Sequence, residues 1–353
     1  MDVRILACDR DGTLPEEDVV DGIPVTRLRI ATSEMRGPLR QLLPLVRFYR
    51  SVGRWMAQHP VDMVHCHNLD VLPLGYLLKR RSGCKLVFEA HEPNYYALWP
   101  KHLKFLVWVL EWLDTRLARR CDAISVTNAY QVEKYRRLGA RRVALIGNYP
   151  APDLRVHAIE PGKFVGRELI LGRFGTFYPG VGLEHTIEIY RRLLARDAPV
   201  RLVLGGRVVD AYRRAFDALI APVRDRLEYT GAFSASAMPA LYGRIHAALL
   251  IYPKSDWFRH ITPRKFFDAV ANGVPVIMTD IGGLGDTIRQ HDCGLVVDED
   301  DPEGAASAIE ALAADHERWR TLADNALRLA NTTYSWTAMC NAYVALMEDV
   351  HGG

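Results

Sequence analysis

The sequence predicts an α/β protein of two doubly wound, parallel-sheet domains. Three observations predict it. Short apolar, partly β-branched runs alternate with helical patterns from end to end, as parallel sheets covered by helices require. Several of these runs end in polar or glycine-containing clusters, where open α/β sheets place their ligand crevice. A turn-rich stretch near the middle, Gly147-Asn148-Tyr149-Pro150-Ala151-Pro152, reads as a hinge between 1–150 and 151–332, with a closing helix over 333–353.

Composition agrees with a well-cored globular chain: 353 residues, 49% hydrophobic and 25% charged. A net charge of +3 is too small to argue for nucleic acid as a partner. Cys8, Cys66, Cys84, Cys121, Cys293 and Cys340 are scattered without a C-x-x-C, which points to reduced thiols and a cytoplasmic location. No signal peptide precedes the first strand, and the longest apolar candidate for a membrane span, 103–113, is broken by Lys104 and Glu111.

Taken in order, 3–8 is a strand followed by Asp9-Arg10-Asp11-Gly12-Thr13-Leu14. That string is similar to the first motif of haloacid-dehalogenase-like phosphatases, against a plain polar loop as the alternative. A turn at Asp21-Gly22 leads into the strand 25–30. A helix over 44–57, with Pro44 in its first turn, sets Leu45, Tyr49, Val52 and Met56 on one side and Arg47, Arg50 and Arg54 on the other. Its basic side is a candidate for peripheral contact with an anionic membrane. The strand 61–65 leads to His67 and Asp70; His65 and His67 share a face by alternation, but no further metal ligand is nearby in sequence, so no metal is expected. The strand 85–90 ends in His91-Glu92. A long helix over 101–120 presents Leu103, Leu106, Val107, Leu110, Leu113 and Leu117 as an apolar face, and core packing is expected for it, with Trp108 and Trp112 neighbours at i and i+4.

The second half repeats the plan, with strands at 169–174, 200–205, 227–229 and 247–252 and a glycine-containing loop at 175–182. Its most informative stretch is 262–277. Thr262 can cap a helix, Pro263 suits its first position, Gly273 can end it, and 274–278 fits a buried strand. A helix N-terminus flanked by Arg264 and Lys265 can hold a phosphate, and Asp268 can accept hydrogen bonds from sugar hydroxyls. The amides of Gly282 and Gly283 can form an anion-binding concavity.

Here the chain resembles a family. P-x-K-x-F-D, read in Pro263 to Asp268, followed by A-x-x-N-G-V-P-V-I is similar to the donor motif of retaining, two-domain glycosyltransferases of the family 4 type. "VHCHNLDVLPLG" and "KLVFEAHE" resemble their first domain, and the last helix resembles the one that crosses back onto it. The resemblance implies the GT-B fold, two Rossmann-like domains. It implies hexosyl transfer, as in polysaccharide biosynthesis, from a nucleotide diphosphate sugar to a glycan or lipid-linked acceptor, with retention and with neither cofactor nor metal. It places His91 at the reacting centre. Gly175, Arg207, His260, Arg264, Lys265, Asp268, Gly282 and Gly283 fall on the donor side, and His67, Asp70 and Glu92 on the acceptor side.

Four departures stand out. Relatives begin with a strand, a Gly-rich loop and a helix before a strand like 3–8, so an exposed sheet edge is expected in the first domain. Val181 stands where relatives carry Lys or Arg, leaving Arg173, Arg207, Arg264 or Lys265 to substitute; His260 stands where one branch has an acid, and Asp268 replaces the commoner Glu. A catalytically weak or inactive partner in a glycan-assembly complex is therefore the runner-up reading.

Overall fold

A turn that only small or polar residues tolerate starts the fold. In the computed structural model, which describes residues 2–31, 38–91, 104–160, 162–164, 168–256 and 258–352, Asp21 (φ 52°) and Gly22 (φ 81°) form the two-residue link between β2 (Glu17–Val20) and β3 (Ile23–Arg29). Two positive φ values in succession match the right-handed twist of a hairpin. On its other side β3 pairs in parallel with β1 (Ile5–Asp9), with Ile5 opposite Val25. This three-stranded sheet, in the order β1-β3-β2, shares no ladder with the next one. The second sheet is parallel throughout: β4 (Met63–His67), β5 (Lys85–Ala90), β6 (Ala123–Val126) and β7 (Val143–Leu145), side by side in that order.

Helices α1 (Pro38–Gln58), α2 (Leu72–Ser82), α3 (Lys104–Ala118) and α4 (Ala129–Arg137) belong to this first half. Val52 of α1 is buried against Leu74 and Leu78 of α2, with Tyr49 and Met56 packed beside it, while Arg47, Arg50 and Arg54 face solvent. The helix begins before Pro44, which therefore lies inside it rather than in its first turn. For α3 the expectation of pure core packing fails on one side. Leu110, Leu113 and Leu117 pack inward, yet Phe105, Trp108 and Trp112 are 73%, 61% and 52% exposed.

The second half is built on one six-stranded parallel sheet, in the order β10 (Leu227–Tyr229), β9 (Val200–Gly205), β8 (Leu169–Phe174), β11 (Ala247–Leu250), β12 (Val276–Thr279), β13 (Gly294–Val297). Strand order reverses between β8 and β11, so the crevice beyond their carboxyl ends is this sheet's natural ligand position. Helices α5 (Leu183–Ala195), α6 (Arg213–Ile220), α7 (Met238–Gly243), α8 (Arg264–Ala271), α9 (Leu284–His291), α10 (Pro302–Ala314) and α11 (His316–Thr332) complete it around a continuous apolar core. Helix α8 starts one residue later than expected, with Pro263 at the cap position and no side-chain cap from Thr262. Gly273 ends it at φ 62°, where a Cβ would meet Ile159 at 2.6 Å. The last helix, α12 (Trp336–Gly352), returns to the first half and buries Met347 and Val350 against Val87 and Ala123.

Candidate active site

Two glycines place a lysine. Gly175 follows β8 with φ 129°, and a Cβ there would lie 2.1 Å from Cε of Lys265. Gly206 follows β9 with φ 143°, and its Cβ would lie 1.7 Å from the Gly175 carbonyl oxygen. Only glycine fits either position. The backbone is further tied by Gly175 N–H to Gly205 O (2.9 Å) and Gly206 N–H to Gly231 O (2.7 Å). The Lys265 side chain thus runs over the Gly175 backbone at the switch point, and no carboxylate among the described residues lies within ion-pair distance of it.

The other donor-side residues divide. Arg264 is exposed and its Nε lies 3.4 Å from Asp268 Oδ1, an i, i+4 pair. Asp268 itself is 3% exposed. Its carboxylate is largely covered, beside Arg264, and burial raises its pKa despite that neighbour. Arg207 is exposed, and its carbonyl accepts Phe177 N–H at 2.8 Å. His260 stacks on Tyr130 of the first half, with centroids 3.9 Å apart, and its carbonyl accepts Asn128 Nδ2–H at 3.1 Å, so it joins the two halves. Of the two amides expected to form a concavity, that of Gly282 is given to Arg259 O (3.1 Å). Gly283, at φ 77°, serves as the N-cap of α9.

Arg173 cannot substitute for the base missing at 181. It is 2% exposed and gives its guanidinium to the carbonyls of Leu249 (3.3 Å), Ile251 (3.1 Å) and Val181 (2.5 Å). Val181 is itself buried at 2%. Arginine and valine together hold the glycine loop shut from below.

Across the cleft, β4 and β5 are paired with His67 opposite Glu89. Alternation then puts His65, His67, Glu89 and His91 on one face. Glu89 Oε2 lies 3.2 Å from His65 Nε2 and 3.4 Å from His67 Nδ1, while Oε1 lies 3.1 Å from His91 Nε2. His91 Nε2 is also 3.2 Å from His67 Nδ1. Burial alone would raise the pKa of Glu89, but the His65 and His67 rings outweigh it and hold the carboxylate below its usual range. Burial pushes His67 down, towards the neutral ring. Tyr343 of α12 meets His65 Nδ1 at 2.9 Å, and Thr127 Oγ1 donates to the His91 carbonyl at 3.1 Å. Asp70 is exposed at the turn after β4, where its carbonyl accepts the Tyr49 hydroxyl. Glu92 lies outside the described residues.

Sequence reasoning named His67 and His91 but missed Glu89, Tyr343 and the Asn128–Tyr130 contact. The His65–His67 alternation was visible, and so is Glu89–His91; what brings the two pairs together is the strand register. The phosphatase reading fails at Asp9. It is 5% exposed, and its two carboxylate oxygens accept the amides of Gly12 (3.0 Å) and Leu14 (3.1 Å). Burial would raise its pKa, but these amides more than offset that and lower it, as a carboxylate fixing a turn should behave.

Two sheet-based domains, a glycine-backed lysine at the switch point of one and a polar strand-end cluster on the other, define a two-domain α/β class with its ligand crevice at the strand ends. Residues 1–149 match the glycosyl transferase 4-like domain, and residues 168–315 match the glycosyl transferases group 1 domain. A stretch of 170 residues is 26% identical to YtcC of Bacillus subtilis, covering 46% of this chain and 41% of that protein. Over 98% of this chain and 86% of the relative, it is 22% identical to the GDP-mannose:cellobiosyl-diphosphopolyprenol alpha-mannosyltransferase of Xanthomonas oryzae pv. oryzae. The structure of sucrose-phosphate synthase from Thermosynechococcus elongatus superposes with a TM-score of 0.77 at 19% identity, covering 99% of this chain and 89% of that one, and shows the shared GT-B fold. The chain belongs to the group 1 glycosyltransferases and is an enzyme of glycosyl transfer.

Proposed function

We propose that the chain transfers a hexosyl group from a nucleotide diphosphate sugar to a glycan or lipid-linked acceptor, with retention at the anomeric carbon. The Lys265 ammonium over the Gly175 backbone carries this reading. As the bond from the anomeric carbon to the diphosphate breaks, negative charge grows on the phosphate oxygens. A cation fixed in advance beside a close-approach glycine stabilises that charge most where it develops. Arg264, next to Lys265 in the chain, and Arg207, which directly follows Gly206, are both exposed and add to it. In this reading side chains and backbone amides balance the diphosphate without a metal or cofactor. His91, held from behind by Glu89 and Thr127, contacts the reacting sugar. The Xanthomonas relative's donor and lipid-diphosphate acceptor, as its name states them, support the substrate class.

The test is transfer and hydrolysis of nucleotide sugars by the wild type and Lys265→Ala. Losing one charge-assisted contact of about 1.5–3 kcal/mol lowers kcat/KM roughly 10- to 150-fold. Unchanged kcat/KM in Lys265→Ala, or no nucleotide sugar bound at millimolar concentration, would sink the reading.

No helix of the described residues is long and apolar enough to cross a membrane. We further propose peripheral contact with an anionic membrane on the cytoplasmic side. Phe105, Trp108 and Trp112 form an exposed aromatic stripe on α3, with the Arg116 guanidinium 5.9 Å from the Trp112 ring, and α1 exposes Arg47, Arg50 and Arg54. Co-sedimentation with anionic vesicles should fall in Trp108→Ser/Trp112→Ser; equal recovery of both proteins would refute the contact.

A further inference from the structure

The acceptor-side face of β4 and β5 carries a set of metal-ligating side chains of which glycosyl transfer, as proposed above, uses only Glu89, as the support of His91. We propose that His65, His67 and Glu89 form a binding site for a divalent transition-metal ion of the zinc type.

The first support is geometric. His65 Nε2 and His67 Nδ1 lie 3.2 and 3.4 Å from Glu89 Oε2, and one ligand atom from each of the three residues lies within 4.8 Å of the others. Nitrogen and carboxylate ligands at about 2.0–2.2 Å from a tetrahedral ion stand about 3.3–3.5 Å apart. The two nitrogen–oxygen separations to Glu89 already match this.

The second support is a poorly satisfied atom. His65 Nε2 is buried and meets the Glu89 carboxylate at 3.2 Å without a well-directed hydrogen bond. A badly aimed contact leaves a buried polar nitrogen only partly satisfied. A metal ion between the two groups would satisfy it.

The third support lies behind the ring. The other nitrogen of His65, Nδ1, meets the Tyr343 hydroxyl at 2.9 Å. Histidine ligands characteristically engage their second nitrogen in this way, which fixes the ring's tautomer and aims the first nitrogen at the ion. Tyr343 comes from α12, at the far end of the chain, so the ring is held from a separate element.

The ligand chemistry selects the ion. Two imidazoles and one carboxylate suit zinc, cobalt or nickel; magnesium and calcium prefer oxygen alone. Three protein ligands leave a fourth position for solvent, the pattern of an open zinc site. His91 Nε2 lies 3.1 Å from the opposite carboxylate oxygen of Glu89 and 3.2 Å from His67 Nδ1, so an ion taken up by His67 would replace that second contact and leave the first.

The site stands apart from the donor reading, since it uses no residue of the second domain. Sugar transfer, found or not, therefore leaves it undecided, and metal binding, found or not, leaves the donor reading undecided. The test is titration of the metal-stripped full chain with Co²⁺, followed by its visible absorption, with Zn²⁺ as competitor. The expected result is saturation at one Co²⁺ per chain, displacement by Zn²⁺, and at least tenfold weaker binding in His67→Asn and in Glu89→Gln. His67 is the safer variant, because its side chain is 59% exposed and the fold does not depend on it. No saturable Co²⁺ site in the wild type, or equal binding by wild type and a folded His67→Asn, overturns the proposal.

Discussion

The two halves follow one plan and enforce it differently. The second closes six parallel strands into a single sheet with a continuous apolar core, and stiffens its ligand loop with one buried arginine. The first divides seven strands between a three-stranded and a four-stranded sheet, and fills its core in separate smaller clusters. Ile5 of β1 is 42% exposed, unusual for a strand in parallel pairing, which is normally covered on both faces. The contrast fits a division of labour. A platform for a charged donor needs fixed backbone and fixed cations. The opposite wall presents imidazoles, a carboxylate and hydroxyls, groups that can meet different ligands.

The largest expected effect tests the rigidity of the second half. In Arg173→Met the carbonyls of Leu249, Ile251 and Val181 lose their shared buried donor. Leaving a buried carbonyl without its donor costs about 1–3 kcal/mol for each one left unsatisfied. Urea unfolding should show that loss, while Arg201→Met, whose partner Glu168 is a surface carboxylate, should cost about 1 kcal/mol or less. Equal, small losses in both would show that Arg173 does not hold the loop.

A somewhat smaller effect uses pH. His246 is buried, its Nδ1 accepts the Ile170 amide at 3.0 Å, and its pKa is pushed down to about 4, mainly by burial. The folded state therefore binds the ring's proton less readily than the unfolded chain does. Stability from this group is complete above the unfolded value near 6.5 and is lost as pH falls towards 4, a loss of roughly 3 kcal/mol. Denaturant unfolding of the second half should weaken across that window, and less so in His246→Gln. A flat profile in the wild type would contradict it. Glu89 in the first half, with its pKa lowered, gives the same sign but only below the ordinary carboxylate range.

The second half was also the more legible in the sequence. The α8–β12 unit rests on local signals: Pro263 at the helix entrance, Gly273 at its exit and β-branched residues beyond. Gly175 was named, but that its missing Cβ makes room for Lys265 is a contact between residues 90 positions apart in number and could not be read from either. Val181 looked like a defect when aligned with a basic position; in three dimensions it is core, and its carbonyl is an anchor for Arg173. Gly282 looked available because sequence does not show that its amide is already given to Arg259. In the first half the histidine pairs were visible by alternation, but their meeting depends on the β4–β5 register, which no local pattern encodes. The exposure of Trp108 and Trp112 contradicts composition alone, since the same helix also packs Leu113 and Leu117 inward.

The smallest expected effect asks to which half α12 belongs. It follows α11 in the chain, yet its tyrosine hydroxyl reaches His65 of β4, and its Met347 and Val350 cover Val87 and Ala123. If that hydrogen bond contributes to holding the helix, Tyr343→Phe should cost about 0.5–1.5 kcal/mol. The loss should appear in unfolding of the first half, leaving the second-half transition unmoved. A double-mutant cycle with His65→Ala isolates the pair, because a shared hydrogen bond makes the two losses less than additive by a similar amount. Strict additivity would mean that α12 is held by its apolar face alone, and that the hydroxyl's place beside His65 serves the ring's orientation and not the attachment of the helix.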